Sequence, residues 1–142
     1  MKLIIRMVLI VSLSSVAALI VFPQKMPPVR IEGTYENLTV GKGSGDLEGM
    51  RVMLIDGGGG IHAIVQEAGG GVELPDPATA KVDVEGAKVS FSIKFPGQDE
   101  AQTFSGTVTA AGLRLRRGDP TRPSFLGSLP GDRPFFLKRR KC

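Results

Sequence analysis

Between Lys88 and Val108 nearly every second side chain is apolar, and that period limits what the chain can become. Val89, Phe91, Ile93 and Phe95 alternate with Lys88, Ser90, Ser92 and Lys94. After the turn-forming run Pro96-Gly97-Gln98-Asp99-Glu100, Phe104, Gly106 and Val108 alternate with Thr103, Ser105, Thr107 and Thr109. A two-residue period sends one set of side chains to a buried face and the other to water, so the segment reads as an antiparallel hairpin. A hairpin alone is marginal in water, and its Phe-rich face requires other strands to cover it.

The rest of the chain supplies them. Ile31 to Val40 places Ile31, Gly33 and Tyr35 on one face and Leu38 and Val40 on the other, so a bulge or a change of surroundings is expected midway. Asp46 to Asp56 reads as a strand around Met50, Val52 and Leu54, kinked at Gly49. Asp56-Gly57 signals a hairpin into Ile61 to Ala68, where Ile61, Ala63 and Val65 oppose His62. A brief strand is expected at Val72 to Leu74, and Lys81 to Glu85 places Val82 and Val84 inward. Leu113 and Leu115 are flanked by Arg114, Arg116 and Arg117, and Arg133 to Arg140 closes the domain with Phe135 and Leu137 on one face. Gly118 to Asp132, with three prolines and three glycines, reads as a loop. No segment past Phe22 keeps a helical period for three turns. The expected fold is all-β: an antiparallel up-and-down meander of eight or nine short strands closed into a barrel, with a β-sandwich as the alternative.

The ends carry a different signal. Lys2 and Arg6 precede an apolar run from Met7 to Phe22 broken only by serines. Residues 1–22 therefore read as a hydrophobic helix serving as a signal peptide, or as an uncleaved signal anchor, since the stretch from Leu3 approaches the roughly 20 residues that span a bilayer. Residues 23–29, with Pro23, Pro27 and Pro28, form a stiff spacer, and residues 30–142 form the domain. The expected location is the periplasm or the exterior, with inner-membrane anchoring as the alternative. Residues 111–142 hold nine basic and two acidic residues, so the basic character is concentrated at one end. The single cysteine, Cys142, excludes an internal disulfide, and packing must hold the fold.

Little in the chain suggests catalysis. Gly41-Lys42-Gly43-Ser44-Gly45 lacks the order and the following helix of a phosphate loop. His62 is the only imidazole, with Asp56 and Glu67 flanking its strand, and alternation points it to water. No G-x-S-x-G elbow, zinc ligand set or calcium loop is present, so no catalytic residue, metal site or cofactor is assigned. Asp46 with Glu48, and Asp83 with Glu85, read as solvated strand faces. The sharper feature is Arg114 and Arg116, which project together and suit an anionic headgroup or carboxylate, with Arg117 and Arg122 nearby. Export and the absence of interleaved stacking aromatics argue against nucleic acid.

The order Gly33-x-Tyr35-x-Asn37, Gly45-Asp46-Leu47-x-Gly49, Gly112-Leu113 and Leu129-Pro130 before an aromatic strand resembles small exported bacterial proteins of uncharacterised function. In outline these are lipocalin-like or calycin-like barrels, and the resemblance implies that fold without assigning residue roles. The expectation is a non-enzymatic exported barrel holding a small apolar or amphipathic ligand, with Arg114, Arg116, Tyr35 and Phe91 as binding residues. The alternative is an interaction module whose basic C-terminal region meets an envelope protein or an anionic membrane surface.

Overall fold

The computed structural model describes residues 28–118 and 134–141. The N-terminal apolar segment, most of the spacer, Arg122, the Leu129-Pro130 pair and Cys142 lie outside the described residues. Ten strands follow in order: β1 Gly33–Glu36, β2 Thr39–Val40, β3 Leu47–Asp56, β4 Ile61–Gly69, β5 Ala78–Lys81, β6 Asp83–Glu85, β7 Lys88–Ile93, β8 Gln102–Val108, β9 Gly112–Arg117 and β10 Phe135–Arg139. There is no helix among the described residues.

All pairings are antiparallel, along the path β5-β4-β3-β1-β10-β9-β8-β7-β6, with β2 on β3 beside it. The two ends of the path are consecutive pieces of one segment, bent at Val82, whose amide still donates to the Ile61 carbonyl at 2.9 Å. The sheet thus curls on itself into a nearly closed barrel, the meander read from the sequence. Closure of this kind leaves little unpaired edge for aggregation.

The alternating series converge inside. Met50, Val52, Leu54, Ala63, Val65, Val89, Phe91, Ile93, Phe104, Val108, Leu113, Leu115 and Leu137 form one buried cluster with Tyr35. Phe91 stacks on Phe104 with centroids 5.3 Å apart, and Phe95 meets Phe104 edge-on at 6.4 Å. Aromatic pairs so arranged add to what area burial alone supplies.

Two local readings differ from expectation. Val72 to Leu74 forms no strand. Val82 is buried as expected, but Val84 stands 42% exposed. It lies on β6, the last strand of the path, so one flank of it has no neighbour to cover it.

The bulge expected after Tyr35 is a break between β1 and β2, clamped by Asn37. Its backbone N–H donates to the Met50 carbonyl at 3.1 Å, and its side-chain Oδ1 accepts from the Met50 amide at 2.8 Å. Gly49 makes the clamp fit. It sits at φ +112°, and a Cβ there would lie 2.8 Å from both Asn37 oxygens, O and Oδ1. Asn37 and Gly49, two of the spaced residues in the sequence pattern, are therefore partners in one fold-determining contact.

Candidate functional site

The strands present an interior, two ends and an outer wall. The interior is occupied by the protein's own side chains. Tyr35, Val52, Leu54, Phe104, Leu113, Leu115 and Leu137 have almost no accessible surface, as side chains beside a water-sized void would not. Tyr35 and Phe91, two of the residues assigned to ligand binding from the sequence, lie in this packed interior, Phe91 at 3% exposure. The structure does not bring them together with Arg114 and Arg116, which stand on the outer side of β9.

Each end is capped by an arginine to which the sequence reading gave no role of its own. Leu113, Leu115 and Arg117 continue one inward series on β9, and Leu137 and Arg139 do so on β10. Because β9 and β10 are antiparallel, the two arginines sit at opposite ends. Arg117 lies 5.4 Å over the Phe104 ring and pairs with Glu67 of β4, on the opposite wall of the barrel. Arg139 lies 5.4 Å over the Tyr35 ring and donates to the Arg30 and Glu32 carbonyls, each at 2.7 Å. Guanidinium groups suit these places because the planar cation stacks on a ring while its edge still donates.

Tyr35 is held from the same side, its hydroxyl donating to the Ile31 carbonyl at 2.7 Å. Burial raises its phenol pKa above the ordinary 10.0, only partly offset by the nearby Arg139 charge. Above pH 10.0 the unfolded chain therefore loses this proton first, and stability falls as pH rises toward the folded-state pKa. The chain has one tyrosine and no tryptophan, so the long-wavelength phenolate band of its ultraviolet spectrum reports this group alone. Spectrophotometric titration should show phenolate appearing above the pH for free tyrosine, together with loss of the far-ultraviolet strand signal. A midpoint at the free-tyrosine value in folded protein would contradict the burial.

Among the described residues, conventional catalytic groups are not gathered at one place. His62 donates from Nδ1 to the Gly60 carbonyl at 3.0 Å, and Glu67, one of the carboxylates flanking its strand, is held by Arg117. Among the described residues no group of three or more His, Cys, Asp or Glu side chains could hold a metal. Asp83, Glu85 and Glu48 are exposed, in keeping with solvated strand faces.

The outer wall of β9 and β10 is the remaining concentration of chemistry. Arg114 lies across from Phe136 in register, and Lys138 across from Gly112. Phe136 is 46% exposed, and Arg114, Lys138, Arg140 and Lys141 are exposed around it. Arg116 is half-buried beside Ser105 of β8. Among the described residues no carboxylate pairs with Arg114, Arg116 or Lys138, whereas Arg140 reaches Glu36 at 3.2 Å. Sequence reasoning named Arg114 and Arg116 but not Phe136, although placing Phe135 and Leu137 on one face of the last strand already turned Phe136 to the other. No protein-family model, no curated protein and no solved structure matches this chain.

Proposed function

We propose that the chain is an exported, non-enzymatic barrel module that works from its outer wall, docking the basic face of β9 and β10 on an acidic surface. The observation that supports this reading is the contrast between the two sides of those strands. Leu113, Leu115 and Leu137 are spent on interior packing, while Arg114, Lys138 and Phe136 are presented to solvent without an acidic partner among the described residues. An aromatic ring among unpaired cations is a favourable docking element, since the ring supplies area and the cations supply attraction and orientation. A ligand held in the lumen has less support, because side chains fill that space. His62 and Glu67 are each held by another group, which favours a non-catalytic reading.

The test uses two acidic probes, polyglutamate and phosphatidylglycerol vesicles, with the full chain and its Arg114→Glu/Lys138→Glu variant. Binding to at least one probe should weaken as salt rises and be lost in the variant, with circular dichroism unchanged. Equal binding by parent and variant would overturn the reading. So would a small apolar molecule retained by the native protein in mass spectra, which would favour a container.

A further inference from the structure

We infer that the surface this wall docks on is an anionic phospholipid bilayer, with Phe136 entering the headgroup layer and Lys138, Arg140 and Lys141 meeting its phosphates; the inference rests on the docking reading above. The first support is the shape of the wall. β1 and β10 pair only at Tyr35↔Arg139 and Glu36↔Lys138. Beyond them β2 stays on β3 while β10 continues along β9, so the two part and leave an open groove of about 780 Å³. Leu38 and Phe136 give this groove an apolar lining, and Lys138, Arg140 and Lys141 give it cations. The one carboxylate that lines it among the described residues, Glu36, is already engaged by Arg51 at 2.9 Å and by Arg140.

The second support is chemical. A flexible ammonium on a long stem can follow mobile phosphates, and an aromatic ring settles at the level of the headgroups. The third support is where the chain enters the barrel. The Arg30 carbonyl accepts from Arg139, and the Arg140 amide donates to the Thr34 carbonyl at 2.9 Å, so the N-terminal connection joins beside the end of β10. Residues 23–29 reach about 20 Å at ~3.1 Å per residue. With the apolar segment 1–22 in a bilayer, the β10 wall is confined near the headgroups at high effective concentration. An acidic protein partner would account for the groove and its charge, but not for this placement.

The absence of tryptophan provides a clean reporter. The full chain carrying Phe136→Trp is mixed with vesicles of phosphatidylcholine alone, and with vesicles containing phosphatidylglycerol. In anionic vesicles the emission should shift to the blue and be quenched by brominated lipid. In neutral vesicles, where the N-terminal segment can still insert, it should not. Lys138→Gln and Lys141→Gln should each lower the docked-to-undocked ratio about fivefold. Val84→Trp, on β6 across the barrel from β10, should stay unshifted in both. Equal emission in the two vesicle types, or a larger shift at Val84→Trp, overturns the inference. A response to polyglutamate without one to anionic vesicles defeats the lipid assignment and leaves the docking reading standing. A response to neither removes both.

Discussion

Gly106→Ala is expected to lower the melting temperature by about 12 °C or more, the equivalent of roughly 3 kcal/mol in a domain of this size. Gly59→Ala should leave it almost unchanged. Both add one methyl group, and the difference lies in what the methyl meets. Gly106 lies in the inward series of β8, paired with Val89 on one side and Leu115 on the other. A Cβ there would overlap the Arg114 carbonyl oxygen and stand 2.9 Å from Leu115 Cδ2. A flexible side chain could move aside, but the Arg114 carbonyl belongs to β9, which is fixed by its pairing with β10. Relief would require breaking part of that ladder. Gly59 has nothing within 4 Å and no positive φ, so alanine there only restricts the unfolded chain. Thermal unfolding followed by circular dichroism separates the two. A Gly106→Ala protein melting within about 3 °C of the parent would mean that β8 and β9 do not approach this closely.

The sequence made the strands legible because most face the core on one side only. Where that condition holds, as in β3, β4, β7, β8 and β9, the alternation read from the sequence matches the burial. It fails where a strand changes partners. Lys81 to Glu85 reads as one regular strand, yet the segment starts earlier, at Ala78, and bends at Val82 because its first half pairs with β4 and its second with β7. Pairing between distant strands sets that bend, and local sequence carries no mark of it. The arginine caps are different, because their signal was present. Arg116 and Arg117 are adjacent, and adjacent residues of a strand cannot share a face. One of them had to continue the series Leu113, Leu115, and Glu67 likewise continues Ala63, Val65. Charge at the end of an inward series marks the end of a barrel, where a polar tip still reaches water. The basic wall of β9 and β10 was half legible: the arginines stand out in the sequence, but the divergence of β2 from β10 that opens the groove is a property of the pairing.

Phe104→Ala is expected to cost about 3–5 kcal/mol, a large share of the stability of a domain this small. Phe104 is fully buried and touches much of what holds the interior together. One face stacks on Phe91, Phe95 meets it edge-on, and the Arg117 guanidinium lies above it. Its removal leaves a cavity in the core and takes the apolar floor from beneath the Arg117–Glu67 pair. Arg117→Met should cost far less, about 1 kcal/mol, because that pair is one-third exposed on both sides and solvent screens it. Combining Phe104→Leu with Arg117→Met in a double-mutant cycle should yield a coupling of about 0.5–1 kcal/mol for the stacked cation. Denaturant unfolding supplies all of these values. The size of the Phe104→Ala effect also bears on function, because a barrel built to hold a ligand keeps space that its own side chains do not fill. A loss below about 1.5 kcal/mol would indicate that the walls stand without this ring. The interior would then be less tightly filled than its burial indicates, and a ligand held in the lumen would regain support against a protein that acts from its outer wall.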